Sequence, residues 1–358
     1  MLSIISKLAF LFKKPKIIIV SGRGKNLTTQ AICQTLGSFF KLRKISNLPR
    51  FFNFNNEILI FETEKGNKNF KFLIKNSSFP ILVVTHIGDI PPDKDFFAGE
   101  RENVKEIREL AKTLPARGCL ILNFDDETSR EIKDETELKE LTFGFQEWAD
   151  FRATDINLDR GTNFKINYKG NAVPVWLDKL FGKEQVYSAL AAAAVGTVLG
   201  LNLVEISQSF KSYHGLPGKM KLIEGIKHSW VLDDSESATI FSMAEAVKIL
   251  GEIKKFNRKI AVLGDVIGVG KYTIEAHEAI GERVAKAADL LFTFGPRAKF
   301  IAKGAESRGM PLEKIFSFDT IAEGKLKLQE EIKEGDLILV DGSKEMEMQK
   351  IVKEIKKM

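Results

Sequence analysis

The sequence predicts an α/β protein of two domains, each built on a mainly parallel sheet. Three observations carry this. Short β-branched runs ending in polar residues alternate with helical segments. A Gly/Pro-rich stretch, "SYHGLPGKMKLIEG" (212–225), breaks that rhythm, and a second alternating set begins beyond it. The length of 358 residues suits two or three domains. The expected division is an N-terminal helix over 1–14, a first α/β domain over 15–214 and a second over 215–358.

The elements follow in order. Leu2, Ile5, Leu8, Ala9 and Phe12 recur at helical spacing with lysines beside them, which predicts an amphipathic helix. That helix either packs on its own domain or contacts a membrane surface or partner. No small-residue cleavage site follows it, so a secretory leader is not expected. "KIIIVSG" is a strand entering a turn, and "TTQAICQTLGSFF" is the helix after it. "EILIFETE", "FPILVVTHIGD" and "GCLILNFDDE" are further buried strands, with "NVKEIRELAKTLP" helical between the last two. "TNFKINYKGNAVPVWL" alternates and turns at Lys169-Gly170, so it reads as a hairpin. "EQVYSALAAAAVGTVLGL" is a helix whose alanines permit close packing. After the break, "SWVLDDS", "KIAVLGDV", "DLLFTFG" and "DLILVDG" are strands. "SMAEAVKILGEIKKF", "EAHEAIGERVAKAA", "PRAKFIAKGAESRG" and "KEMEMQKIVKEIKKM" supply their helices.

Composition narrows the function classes. Hydrophobic residues make up 44% and charged residues 28%, as in a globular protein with real cores. The net charge of +6, with pI near 9.0, is a mild excess spread along the chain. It fits anionic small substrates such as nucleotides better than nucleic acid. Cys33 and Cys119 sit far apart in apolar contexts and read as reduced core residues of a cytoplasmic protein. The 4 histidines form no metal-ligand spacing, and no apolar run reaches the ~20 residues of a membrane-spanning helix.

Chemistry is expected where strands end. In a phosphate-binding loop of the form G-x-x-x-x-G-K-[ST], backbone N–H groups cradle phosphate oxygens, the lysine reaches the outer phosphates and the hydroxyl meets magnesium. Here the run is Gly22-Arg23-Gly24-Lys25-Asn26-Leu27-Thr28-Thr29, with strand before and helix after, but the lysine is displaced.

Across residues from about 15 to the end the chain resembles the Mur ligases, most closely the MurF type. The family's T-G-S-x-G-K-T-T-T appears as "SGRGKNLTT", its E-M-G strand end as "FETE", and its V-T-N-I-G-D as "VTHIGD". Its V-L-N-A-D-D is "LILNFDDE", and its adenine-side G-x-H-N-V-Y-N-A-L-A-A is "GKEQVYSALAAAA". Its P-G-R-M linker is "PGKM", its D-D-S-Y-N-A-N-P-x-S-M is "DDSESATIFSM", and its V-L-G-D-M-x-E-L-G with a later histidine is "VLGDVIGVGKYTIEAH". Its V-K-G-S-R is "VDGSK". The resemblance implies a P-loop-type central domain and a smaller Rossmann-like C-terminal domain. It implies an amide-bond ligase of cell-wall peptide synthesis, using ATP and magnesium. The substrates are then ATP, a peptidoglycan precursor or similar carboxylate, and an amino acid or dipeptide.

Carried over residue by residue, Gly22, Thr28 and Thr29 match the loop, and Gly24 with Lys25 stands for its Gly-Lys pair after a one-residue shift. Without that shift Asn26 takes the lysine position. The resemblance makes Glu62 the magnesium carboxylate alongside Thr28, and Lys219 the linker cation. Gln185 stands at the adenine side, while Asp233 and Asp234 face the nucleotide. Asp265 and His277 match the C-terminal pattern, His277 as a structural group. Several positions depart from the family. Pro91 replaces a magnesium histidine, with His86 a nearby substitute, and Ile107 replaces a carbamylated lysine, with Lys105 on another helix face. Glu236-Ser237 replaces Tyr-Asn, and Asp341 replaces a lysine. The domain that grips the UDP end in the family has no counterpart in the sequence, so a protein partner could supply it. The alternative reading is a catalytically impaired homologue acting as a binding or scaffold partner.

Overall fold

The computed structural model describes residues 4–45, 57–63, 69–87, 104–136, 138–236, 238–256 and 258–357. Pro91 and Ser237 lie outside them. The first part runs α1 (Ile4–Lys13), β1 (Ile17–Ser21), α2 (Lys25–Leu36), β2 (Leu42–Ile45), β3 (Ile58–Glu62), α3 (Asn69–Asn76), β4 (Pro80–Val84), α4 (Val104–Thr113), β5 (Cys119–Asn123), α5 (Glu127–Asp134), β6 (Glu140–Gly144), β7 (Phe151–Leu158), β8 (Gly161–Tyr168), β9 (Asn171–Asp178), α6 (Lys183–Val198) and α7 (Leu203–Ser209). The second runs β10 (Lys221–Glu224), β11 (Trp230–Asp234), α8 (Ile240–Glu252), β12 (Lys259–Gly264), α9 (Thr273–Ala287), β13 (Leu290–Phe294), α10 (Ala298–Ser307), β14 (Ile315–Phe318), α11 (Ile321–Glu331), β15 (Leu337–Asp341) and α12 (Gln349–Ile355).

The first sheet has the order β2-β3-β1-β4-β5-β6-β7-β8-β9 and the second β10-β11-β15-β12-β13-β14. Both are parallel apart from the β7–β8–β9 meander and the edge strand β10. The α/β architecture with mainly parallel sheets is the one the alternating pattern predicts. Strands such as Ile17–Ser21 and Pro80–Val84 are buried along their whole length because helices cover both sheet faces. On one face of the first sheet, α2 and α6 pack through Leu27, Ile32, Leu36 and the alanines 191–194. On the other, Phe10, Leu73, Ile107 and Ile132 come from α1, α3, α4 and α5. Ile107 is therefore core, whereas Lys105 is exposed. The hairpin turns where expected, with Lys169 and Gly170 both at positive φ (47° and 78°), the backbone of a two-residue turn that matches strand twist. The C-terminal helix is shorter than its sequence pattern, because a 3-10 turn at Lys344–Met346 precedes it.

The Gly/Pro-rich segment joins the two sheets through ordered contacts. Leu180 and Lys221 form an isolated antiparallel bridge, and Phe181 N–H donates to the Met220 carbonyl at 2.9 Å. Phe181 belongs to the core of the second sheet although it precedes α6.

Candidate functional site

In the first sheet the strand order reverses direction between β1 and β4, where a parallel α/β sheet leaves a crevice beyond its strand ends. The loop 22–24 sits there. Gly22 (φ 102°) and Gly24 (φ 74°) adopt backbone that favours glycine. At Gly22 a Cβ would stand 2.6 Å from Thr85 Oγ1 and 2.8 Å from the His86 carbonyl, so the loop lies directly against the end of β4. Arg23 N–H donates to that carbonyl at 2.7 Å, and the Thr85 hydroxyl lies 2.9 Å and 2.5 Å from the Ser21 and Arg23 carbonyls. At Gly24 a Cβ would meet nothing within 4 Å, because this residue faces open space.

A cavity of about 520 Å³ opens in front of this loop. Arg23, Gly24, Asn26 and Thr28 line it from the first sheet, Gln185, Tyr187 and Ser188 from α6, and Lys219, Asp234 and Glu236 from the second part. This volume lies within the range of small-molecule sites. Lys25 opens α2 and does not line the cavity, whereas Asn26 does. The gapless register therefore describes the wall better than the shifted one. Asn26 Oδ1 accepts the Leu27 N–H at 2.8 Å, so the side chain occupies an amide of the first helical turn that an anion would otherwise take. Thr28 is buried, with Oγ1 3.2 Å from Ser188 Oγ, and Thr29 is wholly buried and does not line the cavity.

Opposite the loop, the linker is fastened to strand ends. Gly218 N–H donates to Asp233 Oδ2 at 3.0 Å and Met220 N–H to Asp234 Oδ1 at 3.1 Å. Gln185 spends its amide inside the protein: Nε2 donates to the Lys219 carbonyl and Oε1 accepts from Tyr213 OH, both at 2.7 Å. Lys219, half-buried, lies 3.5 Å from Glu236. Asp234 and Asp341 are register partners at the ends of neighbouring strands, both buried. Burial is the main cause that raises Asp234 from 3.8 to about 7, against the pull of Lys219. Asp341 is pushed well above its ordinary value by burial and then by Asp234. Neither Asp341 oxygen meets a hydrogen-bond partner of good geometry. The charge reversal noted in the sequence is thus a buried carboxyl whose charged form burial disfavours, not an exposed anion.

Glu62 ends β3 but does not line the cavity; its Oε1 lies 2.6 Å from Lys44 Nζ. Among the described residues no group of three His, Cys, Asp or Glu is placed to hold a metal. Glu62, held by Lys44, is thus not placed with Thr28 in the cavity wall. His86 lies 3.3 Å from Asp126 and is held below its ordinary pKa, burial outweighing that carboxylate. Asp126 is already taken by the Ile87 and Ser129 amides. Asp265 caps the start of α10, accepting from Arg297 and Ala298 N–H, and His277 accepts from Val266 N–H through Nε2 at 3.1 Å. Both shape the second sheet's edge.

Sequence reasoning passed over Thr85, which locks the loop, and Tyr187, whose hydroxyl donates to Asp125 at 2.8 Å in the cavity wall. Both lie inside motifs quoted above, but their roles depend on contacts 62 residues away along the chain.

Comparison with known proteins bears on the same regions. The Mur ligase middle domain model matches residues 19–196, and the Mur ligase, glutamate ligase domain model matches residues 218–344. The chain is 24% identical to the UDP-N-acetylmuramoyl-tripeptide–D-alanyl-D-alanine ligase of Bacillus subtilis over 95% of its length and 76% of the relative. It is 28% identical to the Escherichia coli enzyme of that name over 68% of its length, spanning about half (53%) of that relative. MurF from Acinetobacter baumannii superposes with a TM-score of 0.79 at 20% identity, covering 97% of this chain and 78% of that one. MurF ligase from Thermotoga maritima, solved in complex with ADP, gives 0.74 at 20% identity over 98% and 81%. These superpositions speak to fold, and the two family models, which together span most of both sheets, speak to descent. The chain belongs to the Mur ligase family.

Proposed function

We propose that the chain is an ATP-dependent amide-bond ligase of the MurF type, acting in cell-wall peptide synthesis in the cytoplasm. The observation that carries this reading is the cavity of about 520 Å³ between two strand-end edges, with the α2 N-terminus and Thr28 on one side and Lys219 on the other. In the reaction, a substrate carboxylate oxygen attacks the γ-phosphorus of ATP and ADP leaves. The amine of an amino acid or dipeptide then attacks the acyl carbon. The C–O bond breaks, phosphate departs, and the amine proton is lost to solvent or a base. What this chain's residues contribute is charge neutralisation and exclusion of water: Lys219 offers a cation to phosphate oxygens, and the first turn of α2 offers backbone amides. Asp234, which lines the cavity, is held by burial above its ordinary carboxylate range, which lessens its repulsion of the triphosphate. Magnesium, in this reading, enters with the nucleotide, and no step is assigned to a metal held by Glu62.

Calorimetric titration of ATP with magnesium into the purified chain tests the proposal. Lys219→Met should weaken binding by about ten- to a hundredfold, the worth of one charge-assisted contact. Lys25→Ala should cost less, because Lys25 does not line the cavity. Phosphate release should need both a carboxylate substrate and D-alanyl-D-alanine. Absence of heat with the unmodified chain removes the ligase reading.

A further inference from the structure

We infer that the N-terminal edge of the first sheet docks on an anionic lipid bilayer, a surface property independent of the ligase reading. Two separate features meet there. The first is α1, which buries only one face. Ser6 and Phe10 are fully buried, Phe10 against Phe72 with ring centroids 6.0 Å apart. The opposite face stays in solvent: Ile5 is 60% exposed, Leu8 51% and Phe12 87%. These three lie at i, i+3 and i+7, so they form one stripe along the helix.

The second feature is a basic hollow of about 390 Å³ at the end of that stripe, where α1 turns into β1. Lys13, Lys14, Lys16 and Lys41 line it, with the half-exposed Phe39. Its carboxylate, Glu57, is engaged by Lys41 at 3.3 Å and Arg43 at 3.6 Å, so the hollow keeps a net positive charge. Among the described residues no carboxylate pairs with Lys13, Lys14 or Lys16. An apolar stripe ending in a lysine-lined hollow matches a bilayer in both chemistries. Side chains enter the acyl boundary while the lysines meet anionic headgroups. A protein partner of apolar character would satisfy the stripe but leave the lysines unmatched.

The hollow lies at the start of β1 and the phosphate-side loop at its end, five residues away, or about 17 Å.

Vesicle co-sedimentation of the full chain tests this. The chain should pellet with phosphatidylcholine vesicles containing about a third phosphatidylglycerol, and not with phosphatidylcholine alone. Removing one lysine, as in Lys14→Gln or Lys16→Gln, should weaken partitioning about fivefold. Phe12→Asp with Leu8→Asp should abolish it while leaving the unfolding midpoint unchanged, since both side chains are exposed. Equal pelleting with both vesicle types, or none with either, overturns the inference. So does self-association of the chain that Phe12→Asp dissolves, which would assign the stripe to a second copy.

Discussion

Asn26→Lys puts the phosphate-side reading to its most direct test. Position 26 lines the cavity one residue inside α2, and the native side chain there accepts the Leu27 amide at 2.8 Å. A lysine at this position gains a charge-assisted contact to a phosphate oxygen, worth about 1.5–3 kcal/mol. It loses a local capping bond of about 0.5–1 kcal/mol, but that loss also frees a first-turn amide for the anion. The net gain of about 1–2 kcal/mol corresponds to ATP binding tighter by roughly five- to thirtyfold. Calorimetry at low and moderate salt reads it, and the gain should shrink as salt rises because the contact is ionic. Unchanged affinity, or tightening that ignores salt, would show that position 26 does not face phosphate and that the cavity binds something else.

Other outcomes follow from the same geometry. Gly22→Ala should destabilise the fold by about 2–4 kcal/mol, through positive φ and contact with Thr85 and His86, whereas Gly24→Ala should cost about 1 kcal/mol; urea denaturation separates them, and equal costs would remove the packed-loop account. Between about 3.8 and about 7 the folded state keeps a proton on Asp234 that the unfolded chain has lost, so this group makes stability fall as pH rises through that window. Asp341→Asn removes the neighbouring acid and should flatten that slope, raising stability near pH 8 by about 1–3 kcal/mol; a steeper slope would mean the pair is charged and bridged. His277 works in the opposite sense: burial holds it below 6.5, so its contribution is lost as pH falls below that value, and His277→Gln should reduce the acid sensitivity seen by thermal unfolding.

Much of this architecture was legible because buried parallel strands are written as uninterrupted β-branched runs, as in Ile17–Ser21 and Cys119–Asn123. The edge strands Leu42–Ile45 and Ile315–Phe318 were not, since each is short and little buried. The loop 22–24 was legible as a motif but not in its register. A helix turns ~100° per residue, and only the observed start of α2 at Lys25 decides that Asn26 faces inward. Lys44 neutralises Glu62 from one of those unread edge strands, so the sequence alone makes Glu62 look like an available metal ligand. Asp341 stood out as a charge reversal, yet its meaning depends on the β11–β15 register that sets it beside Asp234.

The two hydrogen bonds of Gln185 carry a consequence for nucleotide choice. A purine ring that takes over either of those bonds would draw the amide from the Lys219 carbonyl or the Tyr213 hydroxyl, and both belong to the segment joining the sheets. In the proposed function, base identity and the geometry of that segment would draw on one shared functional group. A ring that repays the displaced bonds would hold the two halves in a new angle, and one that cannot would leave them as they stand. Discrimination between adenine and guanine nucleotides should consequently appear as a difference in interdomain angle as much as in affinity.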